Sequence, residues 1–240
     1  MTLQSILLRH GAGRSDRRRD KQIPLPERIT QCRNIIYGPS SIWNRLDVYY
    51  PDGTREPLPT IVSIHGGGYV YGSKEIYRRY GMDMAGRGFA FINFNYRLAP
   101  RWKFPTPLAD TGAVLDWVVK NQNRYHLDPD RIILLGDSAG AQLASHYAAI
   151  HTNPEFASLF PIKVPDVHIR AVGLFCGMYD IPKFAVGAHK GLANDYLGIA
   201  VQQYRPVVLY LNGSYWGIYF IREKITDQYV AGNFNVNAED

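Results

Sequence analysis

Arg131-Ile132-Ile133-Leu134-Leu135-Gly136-Asp137-Ser138-Ala139-Gly140 is the stretch whose reading decides the fold. A short apolar run meets Gly-x-Ser-x-Gly and gives way to a helix-prone segment, Ala141-Gln142-Leu143-Ala144-Ser145. This is the strand, tight turn and helix order of a nucleophile elbow. Such a turn lifts the Ser138 hydroxyl off the end of a sheet, and Gly136 and Gly140 are needed because a Cβ at either would collide with the neighbouring strand or helix. Ser138 then stands at a helix N-terminus, where free backbone N–H groups favour developing negative charge. The pentapeptide alone is a weak signal, because small residues meet by chance in loops. The flanking sequence has to carry the reading.

Upstream, Thr60-Ile61-Val62-Ser63-Ile64 reads as a buried strand that runs into His65-Gly66-Gly67-Gly68-Tyr69-Val70-Tyr71-Gly72. Consecutive glycines cost conformational entropy, so their presence suggests that the backbone itself approaches something closely, and N–H groups exposed in this way can bind an oxyanion. Further strand-like runs are Ile35-Ile36-Tyr37, Leu46–Tyr50 and Phe89–Phe94, with turn chemistry at Pro51-Asp52-Gly53. Lys74–Gly86 suits a helix, and the apolar positions of Leu108–Asn121 recur at helical period. Asp128-Pro129-Asp130 is read as a break before the strand that feeds Ser138, and Pro161 and Pro165 mark a loop before the strand Ile169–Phe175. Strands alternating with helices predict an α/β class: a mostly parallel sheet with helices on both faces.

A chain of 240 residues, 46% hydrophobic, is long enough for one substantial domain, and no apolar run approaches the length a bilayer needs. The net charge of +6 is uneven: Arg9, Arg14, Arg17, Arg18, Arg19, Lys21, Arg28 and Arg33 stand against Asp16, Asp20 and Glu27, so residues 1–34 carry +5 of it. No aromatic residues interleave these arginines, so the reading is a solvated basic helix over 3–21 and no nucleic-acid partner. Leu8-Arg9-His10-Gly11 contains the Arg-His-Gly of histidine phosphatases, but in a helical, arginine-rich context that marks a chance likeness. Cys32 and Cys176 have neither metal nor redox spacing, so no metal and no cofactor is expected. Ile6-Leu7-Leu8 before Arg9 is too short for a signal-peptide core, so the expected location is cytoplasmic.

Taken together, His65-Gly66-Gly67-Gly68, Tyr96-Arg97-Leu98-Ala99-Pro100 with Phe104-Pro105, and Asp130-Arg131 leading to Gly136–Gly140 resemble the α/β-hydrolase fold. More narrowly, they are similar to the hormone-sensitive-lipase-like carboxylesterases, over about residues 30–185. Arg101 departs from the acidic residue often found there. The resemblance implies a serine carboxylic-ester hydrolase in which Ser138 is the nucleophile and the N–H groups of Gly67, Gly68 and Ala139 form the oxyanion hole. His65, Gly66, Gly136 and Gly140 are then supporting residues. Asp137 is a spacer, and Tyr69 and Tyr71 are candidates to line the pocket. The partner implied is a small ester substrate or acyl ligand.

A serine needs a histidine to take its proton and a carboxylate to hold that histidine, in the chain order Ser, acid, His. After Ser138 the histidines are His146, His151, His168 and His189. His146 and His151 lie on the elbow's own helix, about 12 Å and 20 Å along its axis. His168 precedes a strand, at the wrong end of the sheet. His189 is left as a weak base candidate and Asp180 as a weak acid candidate, so the activity is expected to be impaired.

Val207–Leu211, Asn212-Gly213 and Ser214–Ile221 form a β-hairpin pattern around the dipeptide a tight turn prefers. Parallel hydrolase strands need crossover connections instead. Residues 206–235, with Leu211-Asn212-Gly213, Tyr215-Trp216-Gly217-Ile218-Tyr219 and Arg222-Glu223-Lys224-Ile225, resemble a piece of the CotH-type spore-coat kinase-like family. The organisation expected is a basic helical leader (1–30), a C-terminally incomplete hydrolase domain (31–203) and an appended CotH-like hairpin and helix (204–240). The alternatives are a non-catalytic binding protein of the same fold, or a truncated or chimeric product with a coat-associated C-terminal segment. An uncovered sheet edge would favour a homodimer.

Overall fold

Among the described residues six strands make the main sheet: β1 (Ile29–Ile36), β2 (Arg45–Pro51), β3 (Leu58–Ile64), β4 (Ala90–Phe94), β5 (Leu127–Asp137) and β6 (Ile169–Phe175), in the order β1-β2-β4-β3-β5-β6. In this computed structural model β3, β4, β5 and β6 run parallel, and β1 and β2 are antiparallel to their neighbours. The structure describes residues 1–22, 26–181, 190–198, 204–211 and 214–222. The chain divides into two units, Met1–Gly198 and Ile199–Asp240.

Successive residues of a strand point to opposite faces, and here both faces are covered. Val48, Val62, Ile92 and Leu134 enter one core, while their neighbours Tyr49, Ile61 and Phe91 enter the other, with Ile133 packed against it. That explains why these strands read as continuous apolar runs rather than as alternation. The first core is closed by α3 (Thr106–Tyr125) and α4 (Ala139–Thr152), through Leu108, Val114, Leu115 and Val118 of α3 and Leu143, Ala144, Tyr147 and Ile150 of α4. The second is closed by α2 (Arg78–Gly86), through Met82 and Ala85. The fold is α/β-hydrolase in class, as the motifs imply.

Asp128-Pro129-Asp130 does not end the strand. Leu58 pairs with Leu127 and Pro59 with Asp128, then the register jumps so that Thr60 pairs with Ile132. The proline is absorbed in this bulge, where a missing N–H breaks no ladder bond. The Thr60 hydroxyl there accepts from the Asp128 N–H at 2.8 Å.

β6 is an edge of the main sheet and leaves Val172, Leu174 and Phe175 exposed. In the second unit β7 (Tyr204–Leu211) and β8 (Ser214–Arg222) pair antiparallel from Tyr204↔Arg222 to Leu211↔Ser214, as the hairpin pattern predicts. The Asn212-Gly213 turn, the expected terminal helix and His189 lie outside the described residues.

The basic leader is not a solvated helix along its whole length. It is a helix, α1 (Leu3–Gln22), but Ser5 is fully buried and gives its hydroxyl to Asp195 at 2.5 Å. Asp195 lies on α6 (Lys190–Leu197), which follows the four-residue α5 (Pro154–Ala157) in the described helices. The Thr2 N–H also donates to Asp195 at 2.8 Å, and Arg9 donates through Nε to the Val70 carbonyl at 2.6 Å. Burial pushes the Asp195 carboxyl up, but the donors from Ser5 and Thr2 outweigh it and hold the group below the usual carboxylate range. The stabilisation is therefore present above the unfolded value, about 3.9, and is lost as pH falls through the lower folded value. Asp195→Ala is expected to cost about 1–3 kcal/mol, because it strands the Ser5 hydroxyl. Accelerated tryptic cleavage at Arg9 at neutral pH, with a lowered melting temperature, is the measurement; cleavage at the wild-type rate would contradict it.

Candidate active site

β5 delivers the chain into the elbow at the carboxyl end of the sheet. Ser138 has φ 54° and ψ −116° and begins α4, so one residue carries the strained backbone between strand and helix. The glycines around it are sterically required. A Cβ on Gly140 would strike the backbone carbonyl of Ile64, and one on Gly136 the carbonyl of Gly140. The Ser138 N–H donates to the Phe175 carbonyl at 2.7 Å, which ties the elbow to the end of β6.

The glycine loop meets Ser138 directly. A Cβ on Gly66 would lie 3.4 Å from the Ser138 Cβ and 2.9 Å from the Asp137 carbonyl oxygen. Gly67 has φ +118°, a conformation L side chains rarely adopt, and the Val70 and Tyr71 N–H groups both donate to its carbonyl. Gly66, Gly67, Gly68, Ser138 and Ala139 line one cavity of about 580 Å³. The backbone of Gly67 and Gly68 and the α4 N-terminus thus face the same space as the serine.

His65 holds this loop rather than lining the cavity. Its ring is buried, stacks on Tyr96 at 4.2 Å with an interplanar angle of 14°, and bonds the Gly66 carbonyl through Nδ1 at 2.8 Å. A carbonyl only accepts, so Nδ1 carries the proton. Burial pushes the His65 pKa down to about 4, against the opposing pull of the Gly66 bond and of Glu75, so the ring stays neutral near pH 7. The Tyr96 hydroxyl donates to the His65 carbonyl at 3.1 Å, and the Ala99 N–H to the Tyr69 carbonyl at 3.0 Å. The Tyr96–Pro100 block therefore buttresses the glycine loop. It is anchored in turn by Arg97, which donates to both oxygens of the buried Asp110.

The described histidines after Ser138 are engaged elsewhere. His146 packs among Phe104, Phe156 and Phe160, and burial pushes its pKa down. His151 bonds the Val167 carbonyl at 3.0 Å, and His168 pairs with Asp130 at 2.7 Å, roughly 25 Å of strand away from Ser138. Asp180 is exposed and is not among the residues lining the cavity, whereas Met178 is.

Several lining residues have no signal in the sequence pattern. Gln4, Leu8 and Ala12 of α1 and Leu192 of α6 line the cavity beside Tyr69 and Tyr71. Tyr77, in the 3-10 turn Lys74–Tyr77, lines it too and donates its hydroxyl to Asp137 at 2.7 Å. Asp137, read from the sequence as a spacer, is thus the acceptor that joins this turn to the elbow. Among the described residues no group of His, Cys, Asp and Glu side chains could hold a metal ion.

A serine at a strained strand-to-helix elbow, facing a glycine loop over a shared cavity, defines the site of an α/β-hydrolase-fold protein. The BD-FAE family model matches residues 46–212, and the chain belongs to that family. A second model, CotH kinase protein, matches residues 188–240. The chain is similar to Esterase LipQ of Mycobacterium tuberculosis, 31% identical over 66% of this chain and 38% of that protein. It is also similar to Carboxylesterase NlhH of the same organism, 35% identical over 52% of this chain and 40% of that protein. Among solved structures, Esterase B from Lactobacillus rhamnosis superimposes with a TM-score of 0.73 at 28% identity, covering 80% of this chain and 64% of that one. The chain thus spans less than half the length of these two curated relatives. No described helix is long and apolar enough to cross a membrane.

Proposed function

We propose that this chain carries the nucleophile and oxyanion half of a serine carboxylic-ester hydrolase site. One observation carries the reading: the strained Ser138 and the Gly66–Gly68 loop face a single cavity of about 580 Å³. In the reaction Ser138 Oγ attacks the ester carbonyl, and the N–H groups of Gly67, Gly68 and Ala139 receive the oxyanion. The proton lost from Ser138 Oγ leaves with the alkoxy group as the alcohol, and water then attacks the acyl-serine, giving the free acid and returning a proton to Ser138 Oγ. Leu8, Ile76, Met178 and Leu192 give the cavity an apolar lining suited to a small acyl chain. The relatives named as esterases support this class of substrate.

A leader, a hydrolase domain over 31–203 and an appended segment over 204–240 remain our reading of the organisation, supported by the CotH match to 188–240. The apolar edge of β6 supports self-association.

The test is a fluorophosphonate probe with peptide mass spectrometry. The expected result is slow modification of Ser138 in the full chain and none in Ser138→Ala. Absence of labelling would overturn the reading. If a short-chain acyl ligand nevertheless raised the melting temperature, the non-catalytic binding protein would replace it, a role favoured by the engagement of His146, His151 and His168 elsewhere.

A further inference from the structure

The cavity that holds Ser138 has a neighbour. Among the described residues a second cavity of about 250 Å³ is lined by Ser63, Tyr77, Tyr80, Leu135, Asp137 and Phe175. Its floor is the face of the sheet that α2 covers. Ser63 on β3 pairs with Leu135 on β5, and Asp137 pairs with Phe175 on β6, so strand alternation puts Leu135 and Asp137, two residues apart, on one face. Gly173, the β6 partner of Leu135, adds no side chain to this floor: a Cβ there would lie 2.9 Å from Leu135 Cδ1 and 3.8 Å from the Phe175 ring. Tyr77 and Asp137 line both cavities, and the 2.7 Å hydrogen bond between them is part of the wall the two spaces share.

The lining chemistry narrows the occupant. No lysine, arginine or histidine lines either cavity, whereas Asp137 supplies a carboxylate to both, which disfavours a free acid and admits a neutral chain. Tyr80 and Phe175 are 38% and 50% exposed, so an alkyl chain lying against them and Leu135 would take apolar surface out of water. We propose that the second cavity is a subsite for the distal part of the acyl chain of a neutral ester, and that Tyr77 sets how long a chain the site holds. That the head of the ligand is an ester rests on the hydrolase reading; the apolar subsite and its Tyr77 wall do not. A short chain stays within the Ser138 cavity. A longer one meets the Tyr77–Asp137 wall and passes only where that wall opens.

The experiment is calorimetric titration of the full chain with methyl ketones from butanone to decanone, neutral probes that hydrolysis does not consume. Affinity is expected to rise about fourfold for each methylene buried and then to level off. Tyr77→Ala should move the plateau to longer ketones and raise affinity for the longest on the order of tenfold. Tyr77→Phe, which keeps the ring and loses the bond, should move it the same way by less. Adding Phe175→Asp to Tyr77→Ala places a charge at the second cavity and should abolish the gain for long ketones while leaving the shortest unchanged. Far-ultraviolet circular dichroism checks that each variant is folded. Ser138→Ala should give the wild-type chain-length profile, so a failure to label Ser138 would sink the hydrolase reading and leave the subsite standing. A plateau unmoved in both Tyr77 variants, a gain that survives Phe175→Asp, or no binding of any ketone would overturn the proposal.

Discussion

Replacing Asp47 by alanine is expected to destabilise the larger unit by about 3–5 kcal/mol, the range for breaking a buried ion pair from one side. Asp47 is fully buried on β2 and receives the Lys74 ammonium at 2.8 Å, the Tyr49 hydroxyl at 2.9 Å and the Asn34 N–H at 2.7 Å. Lys74 is 1% exposed, and its other carboxylate partner, Glu75, is half exposed to water. Removing Asp47 therefore leaves the buried ammonium to Glu75 alone, 2.6 Å away and open to water, and takes the acceptor from three further donors, the Tyr49 hydroxyl, the Asn34 N–H and Arg33 Nε at 3.5 Å. For a domain of this size the melting temperature should fall by roughly 10 °C. Lys74→Met in the Asp47→Ala background should recover a good part of the loss, because it removes the uncompensated charge and fills the space with an apolar chain. Calorimetry of the single and double variants checks this. A double variant no more stable than Asp47→Ala would show that the ammonium is not the source of the cost. The pair also bears on the site, because Lys74 opens the turn that ends at Tyr77, the donor to Asp137.

Hydrolysis of a short-chain p-nitrophenyl ester should reach only the residual level that binding and an oxyanion hole supply, roughly 10³–10⁴-fold over water. A serine without a proton acceptor is a weak nucleophile, and among the described histidines that follow Ser138, His146, His151 and His168 are held by other partners. His189→Ala is the discriminating variant. If the serine is unactivated, turnover stays unchanged within about twofold, whereas a base contributes on the order of 10²–10⁴-fold. A rate typical of complete esterases, abolished by His189→Ala, would make His189 the base and overturn this expectation.

The parts of the site legible in the sequence are those whose demand on the backbone is local. Gly136 and Gly140 flank a turn too tight for a Cβ, and Gly67 needs φ +118°. Such requirements leave glycine at fixed spacing, so the elbow and its facing loop can be read without coordinates. Continuous apolar strands were legible for a similar reason, since both faces of the sheet are covered. The break at Asp128-Pro129-Asp130 misled because a proline signals lost pairing, and only the partner strand shows that a bulge absorbs it. The leader misled because its composition is basic, although the residues that dock it, Ser5 and Arg9, reach partners far away in the chain.

The sequence by itself determined the class of fold, the serine and the glycine loop, because each is written in a few adjacent residues. Only the tertiary structure decided that α1 lines the cavity, that Tyr77 anchors Asp137 and which partners hold the three histidines that the sequence already places away from Ser138. Those facts depend on contacts between residues such as Ser5 and Asp195, 190 positions apart. No local periodicity encodes such a contact; packing brings its partners together.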